Sequence, residues 1–552
     1  MEKNKDNVNN NNEASKASVG SKMVKGATVL AVAGIICKLL GAVFRIPLTN
    51  LIGAEGMSYY GVAYPVYSFF LILATAGLPV AISRMVSARI AVGDYRNAHR
   101  TYKVSLKLML ILGAISFSIC FFGADLIASA QGNPGAAWSL RALAPAILIA
   151  PVVSSYRGYY QGQQDMMPTG VSQVFEQFIR VAVGLTLSFM LAKKSLEYAA
   201  AGATFGASAG LLMALVVLSI MYARKRIRRT ALINASQTEN EPTKALLKEL
   251  VAIAIPITIG SAIMPFMMMI DSAIIMNRLQ ATGWSLAMSK TLYGLISGYT
   301  DPLIAMPGVF IDAMTISLMP AVTAAFTIAN KEELKKTIRT GIKTMMVIAY
   351  PCAVGLIVLA RPILYMLYPT KIDEAEMAVS NLQILSLTII TLSAMRTFSS
   401  ALQGVGKMVL PVANLFIGAL AKIVVSYVLV GIPALNINGA AIGSITAYLV
   451  AAILNYRALK KYSGVELGLR SAFTRPLGAS AIMGAATFLL YKLLHHFMGY
   501  SAVTVLISII AAVTLYFVLI FTTGTVTEEE ALLLPKGDLI VKTAKKLRLI
   551  KQ

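Results

Sequence analysis

Apolar runs of about twenty residues, separated by short polar connections, recur along the whole chain. Each run has the length a helix needs to cross a hydrocarbon layer of about 30 Å. The pattern predicts helices at 27–50, 59–83, 103–129, 137–160, 168–192, 198–222, 248–276, 289–325, 341–362, 379–402, 410–434, 437–458, 472–493 and 500–523. Within 289–325 the helix must break or kink, because Pro302, Pro307 and Pro320 withhold backbone donors. Residues 1–22, rich in Asn, Lys and Ser, read as disordered. The run that follows them has full span length and no small-residue cleavage pattern, so it reads as a span and not as a signal peptide.

Composition turns this pattern into a fold class. Hydrophobic residues make up 57% of the 552 and charged residues 13%, against about 45–50% and about 25% in a soluble domain. Backbone polar groups inside lipid must be satisfied within the segment, which favours helices over open sheets. The expectation is an all-α polytopic membrane protein with about fourteen transmembrane helices.

The net charge of +24, from 49 Lys and Arg against 25 Asp and Glu, would point to nucleic acid in a soluble protein. Here the basic residues occupy short connections. The N-terminus carries Lys16, Lys22 and Lys25, and the second connection carries Arg84, Arg89, Arg96, Arg100 and Lys103. The sixth carries Arg224, Lys225, Arg226, Arg228 and Arg229, and the eighth Lys331, Lys335, Lys336 and Arg339. Arg457, Lys460 and Lys461 mark the twelfth, and Lys542, Lys545, Lys546 and Arg548 the tail. Odd connections are poor in basic residues: 49–58 carries only Glu55, 130–136 carries none, and 363–378 mixes Lys371 with acids. The positive-inside rule then places both termini and the even connections in the cytoplasm, with the chain in the cell membrane and an even number of spans. No nucleic-acid partner follows. Cys37, Cys120 and Cys352 lie inside apolar runs and read as small packing residues, with no disulfide framework and no metal site.

An internal repeat organises the spans. Gln161-Gly162, Pro168, the helix with Glu176 and Arg180, Ala201-Gly202-Ala203 and Gly206 match Gln403-Gly404, Pro411, the helix with Lys422, Asn438-Gly439-Ala440 and Gly443. Leu78-Pro79 likewise matches Met319-Pro320, at a similar offset. The offset covers an even number of helices, so the repeat is parallel: two six-helix lobes in one orientation. The domain boundaries follow: a disordered N-terminus at 1–26, an N-terminal lobe at 27–222, a basic linker at 223–247 and a C-terminal lobe at 248–458. Helices 13 and 14 occupy 459–523, and a basic cytoplasmic tail 524–552. A cleft between like-oriented bundles is where repeat transporters bind substrate.

Charges inside spans then become informative, since one at mid-membrane costs about 2.5–3.5 kcal/mol on insertion scales. Lys38 and Arg45 stand seven residues apart on one face of the first helix, without an acid in that helix. They read either as cavity cations or as side chains snorkelling to opposite interfaces. Arg84 closes the second helix and reads as topology charge or substrate contact. Glu176 and Arg180 are spaced as an i,i+4 ion pair, serving as a brace or as a substrate contact. Asp271, Asp301 and Asp312 lie in the seventh and eighth helices; Arg396 and Lys422 lie in the tenth and eleventh, with Arg396 placed to pair with an aspartate. A cleft of this charge suits a phosphate or pyrophosphate, which arginine grips bidentately. No Walker A sequence, catalytic carboxylate pair or metal-spaced His/Cys set occurs, so the reading contains no cofactor, metal or catalytic residue, and no ATP hydrolysis.

Three stretches resemble the MOP exporter superfamily, and within it the lipid II flippases and the stage V sporulation protein B branch. They are Lys38-Leu-Leu-Gly41 with Arg45 and Leu51-Ile-Gly-Ala54; Gln161-Gly162, Pro168, Ser172-Gln173, Glu176-Gln177 and Arg180; and Leu533-Leu534-Pro535-Lys536-Gly537 before a basic run. The resemblance covers about 25–525. It implies a flippase that exports an undecaprenyl-pyrophosphate-linked cell-wall precursor from the inner to the outer leaflet by alternating access, the two lobes rocking about the cleft. It also implies that Lys38 and Arg45 bind the pyrophosphate and that helices 13 and 14 shape a groove for the lipid tail. Two further flippase arginines fall near Ser68 or Phe69 and near Pro302, so those contacts are either absent or supplied by other residues, Arg84 or Arg396. The expected partners are the anionic lipid-linked precursor, membrane lipids, a coupling ion and cell-wall synthases. Two alternatives stand beside this reading: a cation-coupled drug or small-solute exporter of the same superfamily, and a non-transporting membrane scaffold for cell-wall or spore-coat enzymes.

Overall fold

The computed structural model describes residues 2–236, 238–532 and 537–547, with side chains described from Gly26 onward except at Ala27, Ala42, Arg228, Ala313, Glu529 and Ile540. The tail motif at Leu533–Lys536 and Arg548 lie outside the described residues, as do the side chains of Lys16, Lys22 and Lys25. Among the described residues the protein is 88% helix and contains no strand. Thirteen helical stretches among these residues are long and apolar enough to cross a membrane. The first, Thr28–Ala91, runs for 64 residues, enough for two crossings at about 20 residues each. Gly53 divides it with a left-handed backbone (φ 64°), and fourteen crossings result.

The chain forms two compact units: residues 1–52 with 56–273, and residues 53–55 with 274–552. The first contains α1 (Glu2–Thr75), α2 (Gly77–Ala91), α3 (Tyr95–Phe122), α4 (Ala124–Ala130), α5 (Ala137–Gly162), α6 (Met167–Leu191), α7 (Leu196–Arg224) and α8 (Arg226–Ala235). The division falls inside α9 (Thr243–Ala281). The second contains α10 (Leu286–Gly294), a π-helical turn at Leu295–Thr300, α11 (Asp301–Thr327), α12 (Lys331–Val358), α13 (Ala360–Leu367), α14 (Ile372–Ser386) and α15 (Thr388–Gly404). It continues through α16 (Leu410–Val430), α17 (Ile437–Ser463), α18 (Arg470–Met498), α19 (Ala502–Thr522), α20 (Glu528–Leu532) and α21 (Gly537–Lys546).

Small residues set the helix packing, as expected where lipid removes the hydrophobic drive between helices. Gly202, Gly206 and Gly210 form one i,i+4 row on α7 pressed against the α6 backbone. A Cβ on them would stand 2.9, 2.4 and 2.5 Å from backbone atoms of Leu187, Arg180 and Glu176. Thr204 and Ser208 on α7 donate to the Ser139 and Ala142 carbonyls of α5, at 3.3 and 2.8 Å. In the second unit Gly439 and Gly443 play the same part on α17, against Leu429 and Ser426 of α16. The side chain of Tyr516 on α19 donates to the Val347 carbonyl of α12 at 2.8 Å, which ties the last span to that unit.

Residues 236 and 238–241, within the basic connection, are packed inside the first unit. Asp94 caps α3 by accepting from the Asn97 backbone N–H at 3.0 Å, and it accepts from the Thr238 hydroxyl at 2.6 Å. Asn97 donates to the Glu239 carbonyl at 2.7 Å, while Arg89 bridges Glu241 and Glu249 at 2.6 and 2.9 Å. Burial pushes the Asp94 carboxyl up, but the hydrogen bonds from Thr238, Asn97 and Ser236 outweigh it and hold the group below the usual carboxylate range.

Candidate functional site

The charges the sequence places in the helix at 168–192, which is α6 of the structure, meet a partner from α5 and a row of rings from α1. Glu176 on α6 accepts from Arg157 of α5 at 2.9 Å, and Arg180 lies 3.6 Å from its other oxygen. Arg157 also donates to the Ser172 hydroxyl at 3.1 Å. These side chains are largely buried, at 16% exposure for Arg157 and Glu176 and 19% for Arg180. The glycine row on α7 makes this possible, since it lets the α6 backbone approach at the level of Glu176 and Arg180.

Beyond the Gly53 kink, α1 presents Tyr60, Tyr64 and Tyr67 at helical spacing toward the same group. Arg180 donates to the Tyr64 hydroxyl at 3.3 Å. The Tyr60 and Tyr64 rings stack at 5.3 Å, and Tyr67 tilts against Tyr64 at 5.6 Å. The Arg45 guanidinium lies over the Tyr60 ring at 5.0 Å, a cation–π contact. One continuous polar seam therefore runs Arg45, Tyr60, Tyr64, Arg180, Glu176, Arg157, Ser172. Along it the guanidiniums of Arg157 and Arg180 share the carboxylate of Glu176. The Nε of Arg180 and the Tyr67 hydroxyl are buried without a hydrogen-bond partner; a buried polar atom left so is costly unless a guest or water satisfies it.

The other residues singled out from the sequence are distributed more widely. Lys38 is exposed on α1, next to Cys37, whose thiol reaches the Gln173 carbonyl at 3.5 Å. Arg84 is exposed at α2, away from this seam. Asp271 is half-buried on α9, and Asp301 is exposed at the start of α11. In the second unit Asp312 of α11 and Arg396 of α15 form an ion pair, each about one-third to two-fifths exposed. Lys422 is half-buried on α16. Two parts of the seam escaped the sequence reading. Arg157 is a charge inside the span at 137–160, and Tyr60, Tyr64 and Tyr67 recur on one helical face; both signals were legible. Among the described residues no set of three metal-ligating side chains converges.

Gly53, Ala54 and Glu55 at the α1 kink belong to the second unit and are held within it. Glu374 of α14 accepts from the Ala54 backbone N–H at 2.7 Å and from the Tyr299 hydroxyl, and Lys290 approaches Glu55 at 3.4 Å. A Cβ on Gly53 would stand 2.9 Å from the Glu374 carboxylate, and one on Gly294 only 1.7 Å from the Ala54 carbonyl oxygen. The Ile-Gly-Ala turn is thus a close-packed joint in which glycine is required at both places.

The bundle of apolar helices with embedded, braced charges is that of a multi-pass transporter of the MOP superfamily. The chain belongs to the polysaccharide biosynthesis protein family, whose family model matches residues 23–326, more than half its length. A second family model, MatE, matches residues 256–428. The lipid II flippase MurJ of Bacillus subtilis (strain 168) is 28% identical over 496 residues, covering 87% of this chain and 91% of that protein. The uncharacterized membrane protein YabM of the same organism is 31% identical, covering 94% and 96%. Stage V sporulation protein B, also from that organism, is 24% identical, covering 81% and 85%. Among solved structures, an inward-facing multidrug resistance MATE family transporter superposes with a TM-score of 0.66 at 17% identity, covering 77% of this chain and 94% of that one. The inward closed form of lipid II flippase MurJ gives 0.61 at 14% identity, covering 89% and 98%. These two likenesses establish the fold.

Proposed function

We propose that this transporter is a flippase for an anionic lipid-linked cell-wall precursor, carried from the inner to the outer leaflet of the cell membrane by alternating access. The observation that carries the reading is the charge imbalance of the buried cluster: Arg157 and Arg180 share the one carboxylate of Glu176. An embedded excess of cation is unfavourable unless an anion comes to it. A pyrophosphate, with several acceptor oxygens, matches guanidinium donors better than any neutral or cationic solute does. Within the seam, Arg157 is committed to Glu176 and Ser172. Arg45, over the Tyr60 ring, and Arg180, with its unsatisfied Nε, are the groups assigned to the pyrophosphate. Lys38, seven residues before Arg45, joins them when the head group enters. The relatives named as lipid II flippases support the same substrate class. Both termini and the connection at 223–247 are assigned to the cytoplasm on their basic residues. A coupling ion and cell-wall synthases complete the proposed set of partners.

The test replaces Lys38, Arg45 and Arg180 with Gln, singly and together, in cells depleted of their own flippase. Membrane insertion and the fraction of precursor reachable from outside are then measured. Normal insertion with reduced outward precursor supports the assignment. A wild-type protein that leaves outward precursor unchanged favours a small-solute exporter or a scaffold.

A further inference from the structure

The first unit carries a second basic feature, separate from the buried seam. α8 follows the span α7 after a break at Lys225 and packs against both α3 and α7. Two of the cations at this junction are used internally. Lys225 pairs with Asp165 at 2.6 Å and lies over the Tyr160 ring. Arg229 lies on the Tyr222 ring at 3.5 Å and donates to the Tyr222 carbonyl at 2.8 Å. Arg229, Leu232 and Ile233 are the inward side of α8.

The outward side is built differently. Arg226, Ile227, Thr230 and Ala231, two i,i+4 pairs, line an open depression. Ile227 is 87% exposed, the largest exposure of any large apolar side chain described. Arg224 and Arg226 are exposed and make no ion pair with a described acid. An isoleucine set among arginines, just beyond the end of a membrane span, is poorly placed for water and well placed for the headgroup boundary. There the arginines meet phosphates and the isoleucine meets acyl chains.

We propose that the outward face of α8, with Arg224, docks anionic phospholipid headgroups of the leaflet at which α7 ends. The proposal does not depend on the transported substrate. The full-length protein, delipidated in detergent, is titrated with phosphatidylglycerol and with phosphatidylcholine, and retained lipid is counted by native mass spectrometry. Wild type is expected to retain phosphatidylglycerol preferentially. Arg224→Gln and Arg226→Gln are each expected to lower that retention about fivefold, and Arg226→Lys to keep it, which separates loss of charge from loss of fold. Ile227→Ser is expected to lower retention of both lipids. Monodisperse Gln variants with an unchanged preference overturn the proposal, as does a wild type that holds both lipids equally. Complete displacement by equimolar inorganic phosphate also overturns it, because the face would then be a free-anion site.

Discussion

The two units hold their embedded charges in different ways on the same kind of scaffold. On α7, Gly202, Gly206 and Gly210 draw the α6 backbone close; on α17, Gly439 and Gly443 do so with α16. The glycine rows correspond in the internal repeat, yet the helices they grip do not carry the same chemistry. α6 bears Glu176 and Arg180, completed by Arg157 into a cationic cluster roofed by tyrosines. α16 bears Lys422, and the second unit pairs Arg396 with Asp312 one to one. Backbone approach is therefore a shared structural requirement, while net charge at the site depends on a few side chains that differ between the units. Under the proposed function the unbalanced cluster recruits an anion, whereas the Arg396–Asp312 pair braces two helices.

The comparison can be broken most severely at Glu176. Glu176→Ala leaves two largely buried guanidiniums without their acid, and stability is expected to fall by about 3–5 kcal/mol, read as a lower unfolding temperature in detergent. The corresponding break in the second unit, Asp312→Asn, acts on a pair that is substantially exposed. It is expected to cost about 1 kcal/mol or less, and similar losses at the two sites would remove the distinction drawn between them.

Packing offers a second lever. Gly206→Ala places a methyl 2.4 Å from the Arg180 carbonyl oxygen and is expected to destabilise by about 1–3 kcal/mol. It should also shift Arg180 and so reduce transport. Transport distinguishes the units further: Arg180→Gln should lower outward precursor about tenfold or more while the protein still inserts, and Arg396→Gln much less. Equal effects in an accessibility assay would place the substrate contacts in both units.

The smallest effect concerns the connection held by Asp94. Its carboxyl sits below the ordinary range when folded, so its ionised form adds stability above the unfolded pKa of about 3.9 and loses it as pH falls through the lower folded value. Asp94→Asn should remove that acid-side dependence and cost only about 0.5 kcal/mol near neutrality, because Asn caps a helix about as well as Asp. Thermal unfolding between about pH 7 and pH 3 measures it.

Much of the fold was legible because a hydrocarbon solvent imposes simple arithmetic on length and polarity. The break at 49–58 that separates the first two spans sits where Gly53 kinks α1, and the Pro-rich run at 289–325 contains the π-helical turn at Leu295–Thr300. The site was legible in part. Glu176 and Arg180 stood out as an i,i+4 pair, but Arg157 stands nineteen residues before Glu176 and no local spacing joins them.

By itself, then, the sequence determined the solvent of this protein, the number and length of its spans, the repeat and the inventory of embedded charge. These follow from composition and period, which are local. Only the tertiary structure decided which charges share an environment: Arg157 with Glu176, Arg396 with Asp312, and Arg45 with the tyrosine row. That outcome depends on how closely two backbones approach, and here glycines far from the charges in sequence control the distance.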